Sequence, residues 1–390
     1  MWHGVERLPG RMVEPVADPR GLSAVFTDAV RDLTREADTI GVAVSGGLDS
    51  LATLVHACAV AEGRRVIAFT VDLTDDRGRS CVAVVRRLVR DLALPVQVEV
   101  VDGRARAVPL WSPLGPRLDA LPELNAAVAE RAASRGAGVL LSGDGADEAL
   151  GVPRFAARAV AAVHGVTGAA RYLRDAARSD PGLAGEAASA VASLLLPRQR
   201  AEVYWAVNWP DWCVPTAPAV LAEPYRTRAT LWARRWVAQA VADHAAAGRS
   251  WAQADALDAF YPHEVIRPAG AVAEGSPFLT EGFLRAAFAL PLGARYGPRL
   301  PTPYWRSKAL VLSLLPRDRW KALPARKQYV RSALAQTAAR FDPLAVPLAI
   351  DAGLIEPDQL ARETDTAVLL AVHAIERWLH GAIEKGAHLR

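Results

Sequence analysis

Ser45-Gly46-Gly47-Leu48-Asp49-Ser50 follows the apolar run Thr39-Ile40-Gly41-Val42-Ala43-Val44 and precedes a stretch of helical periodicity that starts near Leu51. The order is strand, glycine-rich turn, helix. Such a turn presents backbone N–H groups and a helix N-terminus to an anion. Gly46 and Gly47 let the backbone approach a phosphate closely. Ser45 and Ser50 add hydroxyl donors, and Asp49 adds a carboxylate suited to Mg²⁺. The lysine of a Walker-type loop is missing from the turn. The same residues also suit a plain tight turn whose serine or aspartate caps the next helix, so a second feature has to decide.

That feature is Ser142-Gly143-Asp144-Gly145-Ala146-Asp147-Glu148, which directly follows a short apolar run, Gly138-Val139-Leu140-Leu141. Three carboxylates this close repel and raise one another's pKa, and a divalent cation would relieve the repulsion. An acidic, solvated turn capping a helix is the bland alternative. Finding it beside the first turn, again at the end of a strand, weakens that alternative.

The rest of the first half has the same rhythm. Strands are expected at 39–44, 65–71, 96–101 and 138–141, and helices at 21–37, 50–62, 79–93 and 121–135. Short apolar runs alternating with amphipathic segments predict an α/β fold, a parallel sheet covered by helices on both faces. Ligands of such sheets bind beyond the carboxyl ends of the strands, where both turns lie. After about residue 155 the strand signal fades. Segments rich in Ala, Leu and Arg follow, and helices are expected at 156–177, 184–196, 217–247, 250–260, 280–289, 305–315 and 327–339. Trp205, Trp209, Trp212, Trp232, Trp236 and Trp251 gather in this half, and core packing is the reading favoured over an aromatic ligand wall.

The 390 residues carry a net charge of +4, too little to argue for nucleic acid. Cys58, Cys81 and Cys213 are widely spaced, which argues against a disulfide framework or a cysteine zinc site. The start lacks the apolar core of a signal peptide, and no apolar run suits a membrane span. A cytoplasmic protein is expected, with neither nucleic acid nor membrane as partner.

The two turns together resemble the synthetase domain of asparagine synthetase and its relatives, which include β-lactam synthetases and lasso-peptide cyclases. All belong to the ATP pyrophosphatases with a PP-loop. The resemblance runs from about Arg20 to about Arg340. Phe69-Thr70-Val71 resembles the strand beside the adenine site. Ser276-Pro277-Phe278-Leu279-Thr280 resembles the family's PFLD segment, with Thr280 in place of the acid. Leu315-Pro316 followed by Arg326-Lys327 resembles the stretch ending in an active-site lysine. Lys327 is the first choice for it, Lys321 the second, and Lys308 a weaker third. Glu274 sits one position away from a carboxylate used in asparagine synthetases. In β-lactam synthetases a tyrosine stands where Asp144 stands here. His263 has no partner at metal-ligand spacing and is read as structural.

The resemblance implies a parallel PP-loop sheet (adenine nucleotide α-hydrolase-like) over 21–155 and a mainly helical substrate-binding region over 156–390. It also implies a lead-in, 1–20, left from a missing glutaminase-like domain, and Trp2 stands where that domain's cysteine nucleophile would be. The ATP pyrophosphate is expected on Ser45, Gly46, Gly47, Asp49, Ser50 and Gly143, with Val71 near the adenine and Mg²⁺ on Asp49 and Asp147. A carboxylate, already ionised at neutral pH, attacks the α-phosphorus while Lys327 offsets the growing charge. An amine then takes the acyl group, with Asp144 or Glu148 orienting or deprotonating it. The Ser276–Thr280 region, the spacing to Leu315-Pro316 and the tryptophan-rich helical half resemble cyclases somewhat more than asparagine synthetases. The substrate expected is therefore a peptide or small-molecule carboxylate, with macrolactam closure in a peptide one form of the reaction and a separate precursor peptide or partner protein in reserve. The alternatives are an asparagine synthetase-like or other small-molecule amide ligase using ammonia or a substrate amine, and a non-catalytic nucleotide-binding partner. Asp49 and Asp147 are expected on exposed loops, where substitution leaves folding intact.

Overall fold

The computed structural model describes residues 14–113, 115–116, 121–178, 182–208, 217–260, 270–340 and 345–388. The lead-in before residue 14, Trp209, Trp212, Cys213 and His263 lie outside them. Five parallel strands form one sheet in the order β3-β2-β1-β4-β5: β1 Thr39–Ala43, β2 Arg65–Asp72, β3 Gln97–Asp102, β4 Val139–Leu141 and β5 Ala273–Gly275. The fold is the α/β class expected. Four of the strands lie where the sequence predicts them. The fifth is a correction, because the strand signal does not end near residue 155. Three residues, two of them exposed, are too few for a periodic pattern, and only their pairing with β4 makes them a strand.

The sheet is buried on both faces, as parallel sheets are. On β2 the alternation is direct: Val66 and Ala68 face one core, Ile67 and Phe69 the other. The first core receives helices α1 Leu22–Leu33, α2 Leu48–Ala59 and α3 Cys81–Asp91, and the second receives α4 Pro122–Ser134. The chain runs outward from β1 to β2 and β3, then returns to place β4 on the other side of β1. This reversal opens a crevice between the carboxyl ends of β1 and β4, the usual ligand position in such sheets.

Beyond β4 the chain is mainly helical. Short α5 Ala146–Leu150 leads into α6 Ala157–Ala176, α7 Gly182–Val191 and α8 Pro197–Asn208, and later helices include Tyr225–Ala246, Trp251–Asp258 and Glu281–Phe288. Trp205 and Trp251 are buried with Phe155 and Tyr204 in a helical core, with Trp236 packed against it, which is the packing role expected for these three. Among the described residues no helix is long and apolar enough to cross a membrane.

The Ser276–Thr280 segment is fixed by Phe278, which is fully buried. Its ring centroid lies 4.5 Å from that of Phe26 on α1 and 5.6 Å from that of Phe283. Truncating so large a side chain leaves a cavity the backbone cannot fill. Phe278→Ala is expected to lower the unfolding free energy by about 3–5 kcal/mol in urea titrations. A loss under about 1 kcal/mol would show that the segment is not anchored there.

Candidate active site

The Ser45–Ser50 turn leaves the carboxyl end of β1, and the Ser142–Glu148 turn leaves that of β4, its hydrogen-bonded neighbour. The turns touch. The Thr53 hydroxyl lies 3.3 Å from the Asp49 carbonyl and 3.2 Å from the Ser142 carbonyl. A Cβ on Gly143 would stand 2.6 Å from the Ser50 nitrogen and 2.9 Å from the Asp49 carbonyl carbon, so only glycine lets the two backbones meet. The Ser142 N–H donates to Gly275 of β5 at 2.9 Å, and the Ser276 hydroxyl donates to the Asp144 carbonyl at 2.6 Å. The PFLD-like segment therefore buttresses the second turn, and Leu279 packs against Gly145.

Gly46 has φ +83°, a left-handed conformation that favours glycine. Gly47 is the N-cap of α2 and makes no side-chain capping bond, so the helix opens without a cap of its own. The first N–H groups of a helix have no carbonyl within it and are suited to an anion. The Leu48 N–H donates to the Tyr304 hydroxyl at 3.2 Å. The serines spend part of their capacity on the loop itself. The Ser45 N–H donates to the Ser50 oxygen at 3.2 Å, and the Gly47 N–H reaches the Ser45 oxygen at 3.4 Å.

The largest departure from expectation is Lys308, the weakest lysine candidate in sequence. It is 3% exposed, and its ammonium stands 2.6 Å from Asp49 Oδ1 and 2.6 Å from Asp147 Oδ1. Lys327 joins from the solvent side, 3.2 Å from Asp147 Oδ2. Two carboxylates and two ammoniums thus form one cluster of zero formal charge linking both turns. The mutual rise in pKa expected among the carboxylates of the second turn does not appear at Asp147, which the lysines pair. Burial raises the Asp147 pKa, but Lys308 and Lys327 outweigh it and hold the carboxyl below its usual value. For Asp49 burial wins over Lys308, and the pKa lies above the usual value. Burial lowers the Lys327 pKa, yet Asp147 reverses the sign and the ammonium is held above its usual range.

The expectation that both aspartates sit on exposed loops needs correcting as well. The Asp147 side chain is 52% exposed, but that of Asp49 only 20%, against the buried lysine. The expected helix over 305–315 breaks at Lys308 into Pro303–Ser307 and Ala309–Ser313, and the break turns its side chain toward the turns. Next to it, buried Arg306 clamps Asp175 of α6 through two bonds of 2.6 and 2.7 Å. His56 of α2 bonds the Leu314 carbonyl at 2.9 Å. These contacts fix the Lys308 backbone on both sides.

The other expected residues fall around this cluster. Val71 is at the carboxyl end of β2, beside β1, and is partly buried. Asp144 is exposed at the tip of its turn, and Glu148 lies in α5. The buried Arg295 guanidinium donates to the Glu148 carbonyl at 3.2 Å, and burial pulls its pKa down to about 10. Glu274 is on β5, next to β4. Lys321 is exposed in the turn Arg317–Ala322, outside the cluster. Lys308 did leave a sequence signal. Only four of the 46 Lys and Arg residues are lysine, and two of those four meet here.

The donors suit a metal-bound polyphosphate. No group of three or more His, Cys, Asp or Glu that could hold a metal occurs among the described residues. Asp49 and Asp147 are the carboxylates that would hold Mg²⁺ here, which commonly completes its shell with phosphate oxygens and water.

Removing one partner of a buried ion pair leaves uncompensated charge. Lys308→Met is expected to lower the unfolding free energy by about 3 kcal/mol, and more at pH 8 than at pH 4, where protonation of the carboxylates relieves the repulsion. An unchanged urea midpoint would contradict the pairing. Gly143→Ala is expected to abolish Mg·ATP binding in calorimetry, because its methyl group drives the turns apart. Retained binding would show that their contact is unimportant.

A search of curated proteins returned no match to the chain. Comparison with protein families gave a match to asparagine synthase over residues 21–340, which takes in the sheet, both turns, Lys308 and Lys327. The chain belongs to the asparagine synthase family of ATP-dependent, amide-forming ligases.

Proposed function

We propose that this protein activates a substrate carboxylate with ATP, releasing pyrophosphate, and then passes the acyl group to an amine, releasing AMP. The observation that carries the proposal is the Asp49–Lys308–Asp147–Lys327 cluster across two turns at the sheet's reversal point. The turn and the α2 N-terminus provide N–H groups for phosphate oxygens. The two ammoniums provide positive charge where pyrophosphate leaves. Asp49 and Asp147 would hold Mg²⁺, which would supply Lewis-acid charge to the phosphoryl oxygens.

In the first step a carboxylate oxygen bonds to the α-phosphorus and the bond to the β-phosphate oxygen breaks. In the second, the amine nitrogen bonds to the carbonyl carbon, the bond to AMP breaks, and the amine proton leaves. Asp144 and Glu148 are the carboxylates we assign to orient that amine or take its proton. Buried Lys308 is held between both turns and suits the leaving pyrophosphate. Half-exposed Lys327 faces the reacting centre from the solvent side, paired with Asp147. The likeness of the Ser276–Thr280 region and the tryptophan-rich helices to cyclases makes a peptide the substrate class to test first. Its own amine would attack its activated carboxylate and close a macrolactam.

A panel of peptide and small-molecule carboxylates, assayed for AMP and pyrophosphate, tests the reading. Lys327→Ala should cut turnover by at least about a hundredfold, the scale of one lost charge-stabilising donor, while ATP affinity changes little. Asp147→Ala should abolish pyrophosphate release. Formation of ADP and phosphate instead of AMP would overturn the proposal, as would full turnover by Lys327→Ala.

A further inference from the structure

Lys327 lies in a stretch that has no helix or strand of its own, between the turn ending at Ala322 and the helix Arg331–Ala338. Something else has to set its position. At one end, the Trp305 indole N–H donates to the Pro324 carbonyl at 2.7 Å. At the other end the contacts come from the loop that follows β2. The Asp76 N–H donates to the Tyr329 carbonyl at 2.8 Å, and Asp76 Oδ1 accepts both the Ser332 N–H and the Ser332 hydroxyl at 3.0 Å.

The loop that carries Asp76 is braced by its own hydrogen bonds. Asp75, buried beside it, accepts the Arg77 and Arg79 N–H groups at 3.0 and 2.9 Å and binds the Arg79 guanidinium at 2.9 and 2.6 Å. Asp75 therefore holds its own loop, and Asp76 faces the strap. Two side chains depend on where the strap lies. The Lys327 ammonium reaches Asp147, and the Gln328 amide lies over the PP-loop, its oxygen 2.7 Å from where a Gly46 Cβ would be. Both polar atoms of that amide are buried without a hydrogen-bond partner. Such a placement costs free energy unless something holds it there.

We propose that Asp76 is a positioning residue for the ligase reaction: by latching Tyr329 and Ser332 it sets Lys327 and Gln328 over the Ser45–Ser50 turn. The inference rests on the role assigned above to Lys327. Asp76 itself touches none of the reacting atoms. An Asn at this position keeps the accepting oxygen and the backbone N–H, whereas Ala keeps only the N–H.

With four lysines in the chain, the strap can be read by amine acylation of the full-length protein followed by peptide mass spectrometry. The measured quantity is the labelling rate of Lys327 relative to exposed Lys321. Asp76→Ala should raise it severalfold with little change in melting temperature. Asp76→Asn should stay near the parent, and Ser332→Ala should fall between. An unchanged ratio in Asp76→Ala, or an equal rise in Asp76→Asn, overturns the latch. Mg·ATP added to the parent should slow Lys327 labelling. If it does not, while the variants behave as expected, the ATP-site reading fails and takes the reaction role of Asp76 with it.

Discussion

One buried ammonium holds the site together. Lys308 stands between Asp49, on the first turn of α2, and Asp147, on the first turn of α5, at 2.6 Å from each. Without it, two carboxylates at the ends of neighbouring strands, one of them largely buried, would face each other. Taking a lysine out of water is itself unfavourable, and only well-placed partners offset it. The pairing therefore constrains both turns to one relative position. The glycine at 143 allows that position, and the Thr53 hydroxyl ties it.

The surrounding fold keeps Lys308 in place. Arg306 joins its short helix to Asp175 on α6, and the Tyr296 hydroxyl donates to the same aspartate at 2.7 Å. His56 fastens α2 to Leu314 on the far side of the break. Buried polar side chains thus bind the helical half to the sheet at the place where the crevice opens. Lys327 and the strap Pro324–Ser332 are held differently, by the part-buried bond from Trp305 at one end and by the exposed bonds from Ser332 to Asp76 at the other. A buried centre with a rim held from its ends suits the reaction proposed above, in which the triphosphate stays fixed while a carboxylate and then an amine enter.

Much of this was legible in the sequence where local pattern decides. Strands β1 to β4 are apolar runs bounded by turn residues, and both acidic or glycine-rich turns declare themselves at strand ends. β5 was not legible, because Ala273-Glu274-Gly275 becomes a strand only through β4. Lys308 was undervalued because its helical surroundings suggest an unbroken helix over 305–315, and no local rule marks a break at that residue. The expected helix over 327–339 begins only at Arg331, since the residues before it are drawn out by Asp76. Exposure of Asp49 was misjudged for the same reason: its partner lies 259 residues away.

The central claim is that Asp49, Asp147 and the two lysines form the seat of a metal-bound triphosphate. The most direct measurement is a crystal structure of the full chain with Mg²⁺ and an ATP analogue that resists cleavage between the α- and β-phosphates. The account predicts the phosphates on the Ser45–Ser50 turn, with Lys308 and Lys327 on their oxygens and the metal on Asp49 and Asp147. A nucleotide bound elsewhere, with Lys308 still bridging the two aspartates, would contradict it.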